Sequence, residues 1–397
     1  MLDLSQRKTI ILITVGLLLF GVVGVFAYLY FAPKESKAPA KSQTILGRFL
    51  GTQEGVTETS QEETRTTSEL KPGDTLETPS EETLVRITDF PVVSPTLTSS
   101  GDGLLFYKKD GGDLYRSDFE GKTQEKLSNI TVVGLIEAVW SPKGDRALVF
   151  YLDRETKKAF LHIGTSSVAV LPQDIQSVMW LPDGSSFVYT IRRNGQTDIV
   201  SADATGKNSR TLATTPLRDL QIAWAGRDAV MLQTPSSGLA EGFIFRLDRR
   251  TGTLTKFLGP QFGLTSLWSP DGSRVLLTTT DRNGKNLSLE IVDSRGLGVF
   301  SPTIATLPEK CTWTDNKTVI CAVPQYLPDT AVWPDYYLKG EVITVDRFVR
   351  INTDIKQTDD LNLNTLFDSN PLLTTPNANT FFLIDRTDGT LWAVKLQ

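Results

Sequence analysis

Histidine and cysteine are nearly missing from this chain, which holds one histidine and two cysteines in 397 residues. With His162 as its sole imidazole, the chain cannot assemble a multi-histidine metal site. Its neighbours Phe160-Leu161-His162-Ile163 alternate as a strand does, so His162 reads as a strand residue and not a catalytic base. Two cysteines alone make a poor zinc site, and His162 lies far along the chain from Cys311 and Cys321. The chain has no Gly-x-Ser-x-Gly elbow, His-Glu-x-x-His pair, Walker loop or Gly-x-Gly-x-x-Gly after a strand. Gly296-Leu297-Gly298 lacks the third glycine, and Asp385 to Gly389 lacks the bidentate glutamate of a calcium loop. The net charge is −5, with both signs interspersed and no basic stripe, which argues against nucleic acid as a partner. No catalytic residue, metal site or cofactor is assigned on these grounds.

What the chain does have is a repeated mark, Trp-x-Pro-x-Gly. It stands at Trp140 to Gly144, Trp180 to Gly184 and Trp268 to Gly272, with degenerate copies opening on Trp224 and Trp313. The tryptophans recur every 40 to 45 residues, the signature of a propeller or solenoid array. After each comes a turn, an apolar run, a second polar turn, an alternating strand ending near Asp and Gly, and a short fourth strand. Four short strands with these turns make one blade of a β-propeller. The tryptophans Trp140, Trp180, Trp224, Trp268 and Trp313 are therefore read as architectural.

Seven such units are countable between residues 83 and 397, and a ring of six is the alternative. The last unit runs out after Leu391-Trp392-Ala393-Val394, one strand short. Leu84-Val85-Arg86-Ile87-Thr88 matches the missing fourth strand, so residues 84–88 are expected to close the ring and remove its exposed edges.

Ahead of the propeller, residues 1–8 read as a cytoplasmic tail and 9–32 as a transmembrane anchor. The run from Thr9 to Phe31 has no charge and spans roughly 35 Å as a helix. A signal peptide cleaved near Ala38-Pro39-Ala40 is the rival reading, but the run exceeds the usual signal core. Residues 33–82, rich in Thr, Ser and Glu, read as a disordered linker, with a small apolar island at Ile45 to Leu50. Cys311 and Cys321 fall on the first and second strands of one hairpin, facing across the Trp313 turn. They are expected to form a disulfide, which would place the propeller in an oxidising compartment.

Two places are candidates for binding. Three residues before each tryptophan stand Glu137, Ser177, Gln221, Thr265 and Lys310, polar in every unit and expected to face the central channel. Unit six carries an insertion with Tyr326, Trp333, Tyr336 and Tyr337, aromatic anchors on a loop of a rigid scaffold. The binding candidates are thus Tyr326, Trp333, Tyr336, Tyr337, Glu137, Gln221 and Lys310.

The Ser-Pro-Asp-Gly turn with its preceding tryptophan at 268–272 closely resembles the repeat of TolB-type, WD-repeat-like propellers. The segment Cys311-x-Trp313…Cys321-Ala322-Val323-Pro324…Pro334-Asp335-x-Tyr337…Gly340 is similar to one in membrane-anchored propeller proteins of small-genome bacteria. The resemblance implies the fold over about residues 84–397 and says little of function, because that group includes scaffolds, translocation partners and enzyme lids. The expected function is a membrane-tethered, extracytoplasmic scaffold that binds a protein, peptide or cell-wall polymer without catalysis. A glycan-active or lyase-type enzyme using channel carboxylates such as Glu137 is the alternative.

Overall fold

The computed structural model describes residues 84–226, 229–363 and 366–396. The expected tail, anchor and linker over 1–82 lie outside the described residues. Among the described residues, no helix is long and apolar enough to cross a membrane.

The described chain is nearly all β, built of antiparallel sheets whose strands follow sequence order. Seven first strands line up in succession: Val92–Leu97, Leu135–Trp140, Ile175–Trp180, Gln221–Trp224, the end of Leu254–Trp268, Cys311–Trp313 and Ser369–Thr374. Five of the blades are separate four-stranded sheets. Blades four and five are instead fused, because the 15-residue strand Leu254–Trp268 serves both. Its first part pairs with Glu241–Asp248 and its last part with Arg274–Thr280.

Ring closure follows the sequence pattern. Leu84–Arg86 pairs antiparallel with Leu391–Lys395, setting Leu84 opposite Val394 and Arg86 opposite Trp392. The oldest and newest parts of the chain thus share one sheet, and no blade is left a strand short.

The core lies between blades. Ile87, Leu104, Phe106, Phe382 and Leu391 join blades seven and one, while Leu148, Phe150, Val178 and Phe187 join blades two and three. The repeated tryptophans act at the same seams. Trp140 donates its indole N–H to the Ser94 carbonyl at 2.7 Å, Trp180 to Val139 at 2.9 Å and Trp313 to Leu267 at 3.3 Å. Each acceptor sits on the first strand of the preceding blade. At these three seams one ring supplies packing area and a directed polar tie, whereas the Trp268 indole N–H is buried without a partner.

Because each blade is an antiparallel meander, its turns fall at two ends. First-to-second and third-to-fourth turns lie at one end, and second-to-third turns and blade-to-blade connectors at the other. The entry ends of the first strands share the second end.

Candidate functional site

The positions three residues before the tryptophans sit beside a recurring irregularity. The first-to-second strand register shifts at Leu135/Glu137, Ile175/Ser177 and Phe262/Thr265, with related shifts in blades one and seven. A β-bulge turns one extra residue out of the ladder and re-aims its side chain. The residues left out of the ladder are Ile136 and Gln176, so Glu137 and Ser177 stay paired opposite Phe150 and Thr190.

The candidates among them do not converge. No hydrogen bond or ion pair joins Glu137, Gln221 and Lys310 to one another. Glu137 is half-exposed and pairs with Lys157 at 3.1 Å, and Lys157 also reaches the Gln176 carbonyl of the next blade. Gln221 opens its strand at the surface.

Lys310 is fully buried. Blade six has no bulge at this point but a 3-10 turn, Pro308–Lys310, that swings the side chain inward. The ammonium lies 2.7 Å from Asp368 and 2.8 Å from Asp346. It also donates to the Tyr337 hydroxyl and to Thr344 Oγ1, each at 3.0 Å. Arg386 completes the group: Nη1 reaches Asp368 at 3.2 Å, Nη2 donates to the Tyr337 carbonyl, and its guanidinium lies 4.0 Å from the Tyr337 ring centre. Two cations and two carboxylates leave the cluster neutral. Burial alone would lower the Lys310 pKa, but Tyr337, Asp346 and Asp368 outweigh it and raise it. Burial pushes the Asp346 carboxyl up against the pull of Lys310. At Asp368 burial is outweighed by Lys310 and Arg386, so its carboxyl is held below the ordinary range.

The blade-six insertion, residues 325–345, is built on this cluster. Its last residues alternate: Val342, Thr344 and Asp346 point inward, and Ile343 and Val345 outward. The insertion then crosses to the neighbouring blades as a strap. The Trp333 amide donates to the Gly284 carbonyl of blade five at 2.9 Å, and Lys285 donates to the Asp329 and Ala331 carbonyls. In blade four, Ser237 Oγ and the Gly238 amide donate to the two oxygens of Asp335 at 2.9 and 2.7 Å. The approach is so close that a Cβ on Gly238 would meet the Trp333 carbonyl oxygen at 2.2 Å.

The aromatic candidates divide accordingly. Trp333 and Tyr337 are buried and stacked on each other at 6.1 Å, holding the strap down. Tyr336 is half-buried and Tyr326 is 69% exposed. Around Tyr326 the outer surface of the strap presents Leu338, Ile343 and Val345, with Leu239 exposed on the blade-four loop beneath the strap's far end. These residues all come from second-to-third connections. Blade two adds exposed Val133, Ile136 and Leu152 at the same end of the ring, whereas among the described residues Val168, Leu297 and Ile355 are the exposed large apolar residues toward the opposite end.

Sequence reading passed over several residues here. Asp346, Asp368 and Arg386 have no counterparts of the same type at the same place in the other units, and only the presence of a lysine at a core position signals that carboxylates must meet it. Glu309, next to Lys310, carries no sequence signal either. One of its carboxyl oxygens is buried without a hydrogen-bond partner, and burial pushes its pKa up to about 7. Because this folded-state value lies above the unfolded one, Glu309 favours folding most at low pH, and that contribution is lost as pH rises to about 7. Glu309→Gln is expected to flatten this part of the stability–pH curve, measured by urea unfolding between pH 4 and 8. An unchanged slope would show Glu309 to be solvated.

His162 is buried at the seam of blades one and two, its Nδ1 2.7 Å from the Tyr107 hydroxyl, and burial lowers its pKa. Cys311 and Cys321 face each other in register and form the disulfide expected from their positions. The two lie at the seam with blade five, beside Leu276 and Ile291.

No known protein family matches the chain by sequence, and no curated protein does. Solved structures do match it by fold. An oligogalacturonate lyase from Vibrio parahaemolyticus aligns with a TM-score of 0.57 at 11% identity, covering 80% of this chain and 95% of the lyase. An oligogalacturonate lyase in complex with manganese aligns at 0.53 and 13% identity, over 79% of this chain and 90% of the other. TolB from Acinetobacter baumannii aligns at 0.42 and 15% identity, over 67% and 62%. The chain is similar to the two lyases in fold, and that fold is a β-propeller.

Proposed function

We propose that the chain is a non-enzymatic interaction module, held at the membrane by its N-terminal segment and displaying the propeller outside the cytoplasm. The partner is a protein, peptide or cell-wall polymer that docks on the outer surface of the blade-six strap. The observation that carries this reading is the one-sided distribution of exposed large apolar residues, with Tyr326, Leu338, Ile343 and Val345 grouped on the strap. Such a group on a rigid scaffold marks an interaction site. The buried disulfide agrees with an oxidising compartment.

Deleting the strap would remove Tyr337 and Thr344 from the Lys310 cluster, so point substitutions make the cleaner test. Ile343→Glu combined with Tyr326→Ser leaves the buried contacts in place. Pull-downs with this variant are expected to lose partners that the wild-type chain retains. Identical partner profiles would take the strap out of the account.

The lyase alternative draws on the fold likeness, since the matched lyases align over most of their length. A manganese site of that kind does not fit the side chains present. Among the described residues, no group of three or more His, Cys, Asp or Glu is placed to hold a metal. Asp346 and Asp368, the two acids that converge on Lys310, are already engaged by it and, at Asp368, by Arg386. Turnover of an oligogalacturonate or other glycan, abolished by Glu137→Gln, would nevertheless favour the enzyme reading over the scaffold.

A further inference from the structure

The seam of blades four and five departs from the repeat at the end of the ring that carries the first-to-second turns. Gly226 stands in the blade-four turn where three other copies have Pro142, Pro182 and Pro270. A Cβ on Gly226 would meet the Asp271 carbonyl oxygen at 2.3 Å, and one on Gly272 the Ala225 carbonyl oxygen at 2.1 Å. The turns of blades four and five therefore touch backbone to backbone. The indole tie is missing from the same seam. Trp180 and Trp313 each donate to the residue before the preceding blade's tryptophan, but Trp268 donates to nothing.

Beside the two turns lies a pocket of about 680 Å³, a volume that suits a small molecule. Strands of blade four supply most of its wall. Met231 and Arg246 are cross-strand partners and share one face of the sheet, the face on which Met231 packs with Trp268. Phe257 drops out of the ladder where the register shifts between Ile244/Leu258 and Phe245/Lys256. A bulge of this kind re-aims a side chain, and the Phe257 ring lies 5.3 Å from that of Trp268 on the pocket wall. Trp224 adds a third ring.

The charges on the wall do not cancel. Arg246 is exposed on it and has no ion-pair partner among the described residues. Arg249 brings a second guanidinium to 5.8 Å from the centre of the Trp224 ring, again with no ion pair among the described residues. Asp271 is the one acid on the wall, and its Oδ1 accepts from Ser269 Oγ and from the amide and hydroxyl of Ser273, closing its own turn.

We propose that this pocket binds a small aromatic carboxylate, its carboxylate on Arg246 and its ring against Trp224 and Phe257. A guanidinium matches a carboxylate with two parallel hydrogen bonds, and aromatic rings favour an offset or edge-on neighbour. A neutral aromatic compound would leave Arg246 unanswered, and an aliphatic acid would leave the rings without a flat partner. The pocket lies at the opposite end of the ring from the strap and does not rest on the function proposed there.

The test is calorimetric titration of the full chain in detergent with phenylacetate, set against titration into detergent alone. Phenylacetate is expected to saturate one site. Neutral phenylethanol, ring-saturated cyclohexylacetate and the sugar acid glucuronate should each bind at least about tenfold more weakly. Arg246→Met should erase the preference for the acid over the alcohol, and Phe257→Leu the preference for phenyl over cyclohexyl. A merely structural effect would weaken all four compounds alike. Absence of saturable phenylacetate binding at millimolar concentration would overturn the proposal. So would equal binding of acid and alcohol, tighter binding of glucuronate, or an unchanged preference in Arg246→Met.

Discussion

Replacing Lys310 by alanine is expected to destabilise the propeller by about 3–5 kcal/mol, read as a fall in the urea midpoint. The cause is less the lost attraction than what is left behind. Asp346 and Asp368 would remain buried without the ammonium that lies between them. Removing one member of a buried ionic group exposes the full desolvation cost of the others, whereas replacing the whole group by apolar residues of similar volume is often neutral. A combined Lys310→Met, Asp346→Leu, Asp368→Leu, Arg386→Met variant is therefore expected to recover much of the loss.

The pH dependence has a definite sign. The depressed Asp368 carboxyl gives stability that is present at neutral pH and lost as pH falls through its folded-state value. The raised Lys310 gives stability that is lost as pH climbs above the ordinary lysine range. The wild-type curve should fall at both ends, and Lys310→Ala should flatten it. A loss below about 1 kcal/mol would mean that water reaches the cluster and that the strap is not anchored there.

How far the sequence shows all this depends on whether a feature repeats. The tryptophans recur because blades two to six each place an aromatic ring at the same point of the first strand, so period alone locates blades, closing strand and disulfide hairpin. The fused strand Leu254–Trp268 was not legible, because Gly259-Pro260 and Gly263 read as turn residues and not as a continued strand. Lys310 was picked out as a channel residue, yet its burial depends on Tyr337, Asp346, Asp368 and Arg386, which no period ties to it. The strap aromatics show the same limit. Residue type marks Tyr326, Trp333, Tyr336 and Tyr337 alike, but only the path over Gly238 and Gly284 decides which of them face inward.

Removing the disulfide, by Cys311→Ser with Cys321→Ser or by reduction, is expected to cost about 2–3 kcal/mol, from the loop entropy its sequence separation of 10 implies. The local structure explains why the bond sits there. Cys311–Trp313 is the shortest first strand in the ring, with three ladder pairs where most others have more. A strand with so little ladder of its own is held by two other means: the disulfide at Cys311 and the ionic cluster at Lys310, its immediate neighbour. The two should therefore be coupled. With the disulfide gone, Lys310→Ala should cost a different amount than in its presence, giving an interaction energy of roughly 0.5–3 kcal/mol in a double-mutant cycle. Equal urea midpoints with and without reductant would refute the stabilising role of the bond. Strict additivity would show that strand and cluster are anchored independently, and that the strap reports on Lys310 alone.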